Sequence, residues 1–180
     1  MKKLSKRTKI IISLAVVLFC VVFICIYSYG TFEVAQLNRN SSLSLDLLTS
    51  KDNVNFDEYE IYPTEGMGNG THYRHKDGCH RICTGTYPDS VFFSSRVIGV
   101  SIEEGCSDNV LGIGYGTSSR EIYNIIDKYN YKLTKGSDDW IIAEKGRVHI
   151  AIKLNSGGNA QDISVSVKTT NIFKAQYKAS

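Results

Sequence analysis

The 180-residue chain has few of the features that point directly to a function. It contains only two prolines and one tryptophan, and it has no internal repeat and no low-complexity tract. Five of its 21 lysines and arginines lie within residues 1–9, and the remaining 16 are balanced by 18 acidic residues. Residues 10–180 therefore carry a net charge of about −2 and present no basic run. This distribution argues against a nucleic-acid partner.

Charge is absent altogether from residues 10–29, which read IIISLAVVLFCVVFICIYSY. A helix rises about 1.5 Å per residue, so a stretch of this length spans the roughly 30 Å hydrocarbon layer of a bilayer. Basic residues precede the stretch, whereas the first one after it is Arg39. The sequence therefore predicts a single-pass transmembrane helix over residues 10–29, with a cytoplasmic basic flank at residues 1–9 and everything later outside the cell.

The alternative to a membrane anchor is a signal sequence that is cleaved off. A secretory signal has a shorter apolar core of roughly 7 to 15 residues and an A-x-A-like exit, but here the exit is Tyr27-Ser28-Tyr29. A lipoprotein signal needs a small residue before its cysteine, whereas Cys20 and Cys25 both follow large apolar residues. We therefore predict an uncleaved anchor in the cell membrane.

The rest of the chain divides into three predicted parts. Residues 30–57 hold scattered leucines among polar residues and predict a tether, with a short helix near residues 43–48 that docks on the domain. Residues 58–170 are long enough to bury a core of their own and predict one extracytoplasmic domain. Residues 171–180 are predicted to be a frayed tail.

The clearest local pattern in the outer domain predicts one amphipathic helix. Ser118 and Glu121 form a capping-box pattern, with Thr117 as a competing cap. Apolar residues then recur at helical spacing until an expected end near residues 129–130. The apolar stripe consists of Ile122, Ile125, Ile126 and Tyr129. Just ahead of it, residues 112–116 are rich in glycine, but they lack the third glycine of a dinucleotide-binding loop and the lysine of a P-loop.

The predicted sheet is antiparallel. Short strands are expected at residues 58–62 and 97–102, and a three-strand meander at residues 140–144, 147–154 and 163–167. The meander alternates apolar and polar residues, so a helix should cover one face and water the other. The predicted fold class is therefore α+β, with one main helix packed on an antiparallel sheet.

The run THYRHKDGCHRIC, residues 71–83, is the chemically richest part of the sequence. It holds three of the four histidines of the chain and two of the three cysteines beyond the apolar stretch. One hypothesis is a metal site formed by His72, His75, Cys79 and Cys83, because nitrogen and sulfur ligands suit Zn²⁺. The C-x3-C spacing is not that of a standard zinc knuckle, and no second cysteine pair follows.

A disulfide is the favoured interpretation of the same cysteines, because the compartment outside a cell is oxidising. Cys79, Cys83 and Cys106 allow three single bridges, and each leaves one sulfur over. We expect the bridge to join the 79/83 pair to Cys106, where closing a loop of this length stabilises the fold by of order 3 kcal/mol. A third hypothesis is a thiol-dependent enzyme that uses Cys79 or Cys83 with His80 as base, which requires a free thiol of low pKa.

Two segments of the sequence carry a resemblance. Residues 83–89, CTGTYPD, and the glycine-rich helix entry at residues 112–116 resemble uncharacterised membrane-anchored exported proteins of Gram-positive bacteria. In those proteins a Cys-x-Gly-Tyr-Pro-Asp-like segment precedes a Gly-Ile-x-x-Gly helix entry, whereas Thr86 is inserted here. The resemblance covers residues 83–168 and implies no activity. More remotely, the layout is similar to beta-lactamase-inhibitor-like envelope domains, which act by binding other proteins.

No set of residues in the sequence converges on a catalytic mechanism, and no cofactor follows from it. The predicted function is therefore a non-catalytic one. We expect a protein that is held in the lipid bilayer through residues 10–29 and whose outer domain binds a protein partner in the cell envelope.

Overall fold

The computed structural model describes residues 6–28, 31–63, 70–87, 95–134 and 139–168. Within these ranges the chain is α+β, as the sequence predicts, with three α-helices, two short 3₁₀ helices and eight strands. The predicted tail and the first five residues of the basic flank lie outside the described residues.

The helices are α1 (Lys6–Ser28), α2 (Thr31–Asn40) and α3 (Ser119–Lys128), and the 3₁₀ helices lie at Lys51–Asn53 and Phe56–Glu58. The strands are β1 (Tyr59–Ile61), β2 (Thr71–His75), β3 (His80–Thr86), β4 (Ser95–Ile102), β5 (Lys132–Thr134), β6 (Trp140–Lys145), β7 (Val148–Leu154) and β8 (Ala160–Val167).

All eight strands belong to one antiparallel sheet, in the order β1-β2-β3-β4-β8-β7-β6-β5. The predicted three-strand meander corresponds to β6, β7 and β8, but the sheet is larger than three strands. Strands β1 to β4 form a second meander, and the two join where β4 pairs with β8, from Gly99 opposite Ser166 to Ile102 opposite Ile163. The two edge strands have three residues each, which limits the backbone left open for pairing with another chain.

α3 contributes to the core on one face of the sheet, and its predicted start is confirmed. Ser118 caps the helix by accepting a hydrogen bond from the Glu121 backbone N–H at 3.4 Å. Ile122 and Ile126 point into the core and are 0% and 1% exposed. After the helix, Asn130 adopts a left-handed φ of 58°, which is a common way to end a helix.

Residues 31–57 do not form the expected tether, because they contribute to the core of the domain. Val34 and Leu37 of α2 are buried, and so is Leu47 further along. Lys145 in β6 donates a hydrogen bond to the Gln36 side chain at 2.9 Å, which fixes α2 against the sheet. The helix expected at residues 43–48 is also wrong, since that stretch forms turns and bends between α2 and the 3₁₀ helix at Lys51–Asn53.

α1 is a continuous helix of 23 residues. The large apolar side chains that the structure describes in α1 are exposed, with values that reach 65% for Leu18 and 72% for Phe19. Among the described residues, no helix has the length and hydropathy needed to span a bilayer.

Candidate functional site

The face of the sheet opposite the core carries a cleft of about 370 Å³. Because side chains alternate along a strand, this face presents the residues that lie between the buried ones. We call this side of the sheet the open face. We define it by the small residues that form the floor of its cleft. These are Gly99 and Ser101 of β4, Ala151 of β7, and Ser164 and Ser166 of β8.

The cleft forms because the side chains on its floor, across the three central strands β4, β8 and β7, are small. Gly99 lies opposite Ser166, and Ser101 lies opposite Ser164, to which it donates a hydrogen bond at 3.1 Å. A Cβ added at Gly99 would come within 3.4 Å of the Cβ of Cys83, so glycine leaves space next to that thiol. At the β6 side of the cleft stands Trp140, which is 37% exposed.

Charged residues of both signs border the cleft. The Arg81 Nε lies 2.6 Å from the Glu103 carboxylate, and its Nη2 lies 3.4 Å from the Asp162 carboxylate. Arg74 binds the other oxygen of Glu103 at 2.8 Å. Burial is the main influence on Asp162 and raises the pKa of its carboxyl. The border of the cleft can therefore donate hydrogen bonds to a partner and accept them from it.

Cys83 and His72 lie together at the cleft, with 3.6 Å between the sulfur and Nε2. Burial raises the pKa of the Cys83 thiol to about 11. Burial, and then the charge of Arg81, lower the pKa of His72. Both side chains are therefore neutral near pH 7, whereas a reactive cysteine needs a thiolate. The backbone of Gly70 closes over this thiol, because a Cβ there would lie 2.5 Å from the Cys83 sulfur.

A second group lies where β2 turns into β3, on the buried side of the sheet. The rings of His75 and His80 stack with 4.7 Å between centroids and 19° between planes. Asp77, in the turn, places a carboxylate oxygen 2.7 Å from His75 Nδ1. The Tyr59 hydroxyl lies 2.9 Å from His80 Nε2. We call His75, Asp77 and His80 the turn cluster.

Burial and one backbone hydrogen bond set the electrostatics of the turn cluster. His80 is 4% exposed, and burial, followed by the charge of His75, lowers its pKa. The Cys79 backbone N–H donates to Asp77 at 2.7 Å and lowers the pKa of that carboxyl. Burial raises the pKa of Tyr59 to about 12. At neutral pH the cluster therefore holds neutral imidazole at His80 beside a carboxylate.

The disulfide joins Cys79 to Cys106 and leaves Cys83 as a free thiol. The prediction of a bridge between the 79/83 pair and Cys106 is confirmed. The four residues of the predicted zinc site do not meet. His72 and Cys83 lie on the open face, His75 lies in the turn cluster on the other side, and Cys79 is bonded to Cys106.

The thiol and base proposed for an enzyme are not brought together either. Cys79 is held in the disulfide, and Cys83 and His80 are three positions apart in one strand, so they project to opposite faces. Asp77 and Tyr59 were missed by the sequence reasoning. The spacing of His75, Asp77 and His80 around Gly78, which has a φ of 76°, was the available signal for a tight turn that gathers ligands.

Comparison with known proteins yields no match: no family model fits the chain, and no curated protein or solved structure is significantly similar to it.

Proposed function

We propose that this chain is a single-pass membrane protein whose outer α+β domain binds a protein partner on the open face of its sheet, without catalysing a reaction. The observation that carries the proposal is the cleft on that face. A cleft across the centre of an eight-stranded sheet, bordered by Trp140 and Arg81, offers the residue types that most often anchor protein–protein interfaces.

The make-up of the cleft supports a protein partner. Its small floor admits side chains from a partner, because Gly99, Ala151 and Ser164 project little above the backbone. The ion pairs of Arg81 with Glu103 and Asp162 lie at its border, where charged groups favour specificity more than affinity.

The thiol chemistry of the cleft supports a non-catalytic role. The raised pKa of Cys83, about 11, keeps the thiol protonated, and its neighbour His72 has a lowered pKa and is a weak base. A nucleophilic cysteine shows the opposite arrangement, with a thiolate stabilised by a cationic neighbour.

The membrane anchor is supported by the sequence and the exposure of α1. The charge-free stretch of residues 10–29 has the length of a bilayer span, and the basic residues lie on its N-terminal side. The exposed side chains of Leu14, Leu18 and Phe19 need an apolar environment, which lipid would supply. On this proposal the protein lies in the cell membrane, with the domain outside.

Alkaline extraction of membranes tests the anchor. We expect the full chain to stay in the membrane pellet, and the variant Leu14→Lys with Leu18→Lys to move to the supernatant, because two charges in the span oppose insertion. Intact-mass analysis of the membrane-bound protein should show residues 1–29 still attached. Release of the unaltered chain by alkali, or a mass without those residues, contradicts the anchor.

Site-specific photo-crosslinking tests the partner. A benzophenone amino acid replaces Trp140 at the border of the cleft, and in a matched control it replaces Asn124, which is exposed on α3. In the cells that make the protein, we expect a discrete crosslinked species from position 140 and none from position 124. The same species should disappear when Gly99→Trp fills the cleft. Equal crosslinking from both positions, or none from position 140, overturns the proposal.

A further inference from the structure

We propose that the turn cluster of His75, Asp77 and His80 is a binding site for a borderline divalent metal ion such as Zn²⁺. One ligand atom from each of these residues lies within 4.8 Å of the other two. Two imidazoles and a carboxylate form a donor set that suits zinc and its neighbours in the first transition series. This site shares only His75 with the set predicted from the sequence, and it is independent of the open face.

The buried imidazole of His80 is the observation that points to a ligand. Its Nε2 contacts the Tyr59 hydroxyl at 2.9 Å, whereas its Nδ1 is buried and has no hydrogen-bond partner among the described residues. An unpaired polar atom in a buried position is costly, so native structures almost always satisfy it. When Nε2 carries the proton and donates it to Tyr59, Nδ1 keeps the free electron pair that a metal ion needs.

The surrounding turn holds the ligands in place before any ion arrives. The Gly78 N–H donates to the His75 carbonyl at 2.9 Å, and the Cys79 N–H donates to Asp77 at 2.7 Å. The disulfide from Cys79 to Cys106 ties the end of the turn to the loop beyond β4. Binding is tighter when ligands are already ordered, because less conformational entropy is lost on binding.

Coordination requires the cluster to rearrange. Tetrahedral zinc with bonds of about 2.0–2.2 Å keeps its ligand atoms about 3.3–3.6 Å apart, so the cluster has to close. The rings of His75 and His80 are stacked with 19° between planes, so one ring also has to turn before both lone pairs can point at one ion. His75 can supply this movement, because its side chain is 20% exposed and lies at the end of β2. The Glu58 carboxylate, 3.5 Å from His75 Nε2, adds negative charge beside the site. Water can complete the coordination from the exposed side of Asp77.

The experiment is a titration of the full chain with Zn²⁺ alone. The protein is purified in detergent without a histidine tag, with its disulfide intact, and binding is followed by calorimetry. We expect one saturable site per chain. Asp77→Asn, which keeps an acceptor for the Cys79 N–H, should weaken binding about tenfold or more, and His75→Gln should weaken it at least as much. The matched control His72→Gln, on the open face, should bind as the unaltered chain does.

A second readout separates this site from sulfur ligation. Co²⁺ bound in place of Zn²⁺ should show only the weak visible bands of nitrogen and oxygen ligands, without the intense near-ultraviolet band of a thiolate. Thiol titration before and after should give the same number of free cysteines. The proposal is overturned by the absence of saturable binding, by equal weakening in His72→Gln, or by a thiolate band. It is also overturned if both Asp77→Asn and His75→Gln leave the affinity unchanged.

Discussion

The two faces of the β2–β3 hairpin carry different chemical groups, although both groups come from one short stretch of sequence. On the open face, His72 and Cys83 form a neutral pair at a cleft, with the cationic side chain of Arg81 nearby. On the buried side, His75 and His80 stack beside the Asp77 carboxylate, and one imidazole nitrogen of His80 has no partner in the described chain.

The difference shows how the alternation of a strand sorts a compact set of reactive residues. In a strand, neighbours in sequence point to opposite faces, so residues 71–83 cannot act as one cluster. The turn cluster, with two imidazoles beside a carboxylate, suits a cation, and the open face, with a protonated thiol, small residues and an exposed tryptophan, suits a protein surface. Three predictions test this separation.

Loss of the disulfide should have the largest effect on the fold. The bridge joins residues 27 positions apart, and the chain-entropy model gives about 3.5 kcal/mol for a loop of this length. We expect Cys79→Ser with Cys106→Ser to lower the free energy of unfolding by about that amount, as measured by urea unfolding of the full chain in detergent. The matched control Cys83→Ser, on the open face, should change it by less than about 1 kcal/mol. Equal losses would break the distinction between the two faces.

The same alternation should hold in β8 beneath the cleft. Ile163 is 1% exposed in the core, whereas its neighbour Ser164 lies on the open face. Ile163→Ala should cost about 3 kcal/mol of stability, because it leaves a cavity. Ser164→Ala removes one hydrogen bond with Ser101 and should cost at most about 1 kcal/mol. The difference between the two unfolding free energies is the quantity to measure, and a larger loss for Ser164→Ala would mean that the faces are misassigned.

The third prediction concerns the reactivity of the Cys83 thiol and not the stability of the fold. Because burial raises the Cys83 pKa to about 11, the thiolate fraction is small at neutral pH and grows tenfold with each pH unit. In a chain with Cys20→Ser and Cys25→Ser, we expect the rate of alkylation by iodoacetamide to rise from pH 7 to pH 10 without levelling off. If the alkylation rate levels off at or below pH 8.5, the ordinary pKa of a cysteine thiol, the thiol-enzyme hypothesis would be revived.

The parts of the fold that follow local patterns could be predicted from the sequence. The cap at Ser118 and the spacing of Ile122 and Ile126 defined α3, and the alternation of Val148 to Leu154 defined β7. The bridge to Cys106 followed from the predicted compartment and the count of cysteines. In each case the deciding residues lie close together in sequence or belong to a rare type.

The hairpin β2–β3 could not be predicted in the same way. Its inward positions include His80 and Thr84, which read as surface residues although both are buried. The pairing of Gly99 with Ser166 brings together distant parts of the chain, and no local pattern encodes that register. The burial of Val34 and Leu37 depends on the sheet they pack against, so residues 31–57 read as a tether.

The most direct test of the separation is the imidazole spectrum of the chain, because it contains only four histidines. Nitrogen-15 NMR of the full chain in detergent resolves them one by one, and single His→Gln variants assign them. On addition of Zn²⁺, we expect the signals of His75 and His80 to shift together while His72 and His149 stay in place. Movement of His72 together with His75, or no movement of His80, would contradict the account.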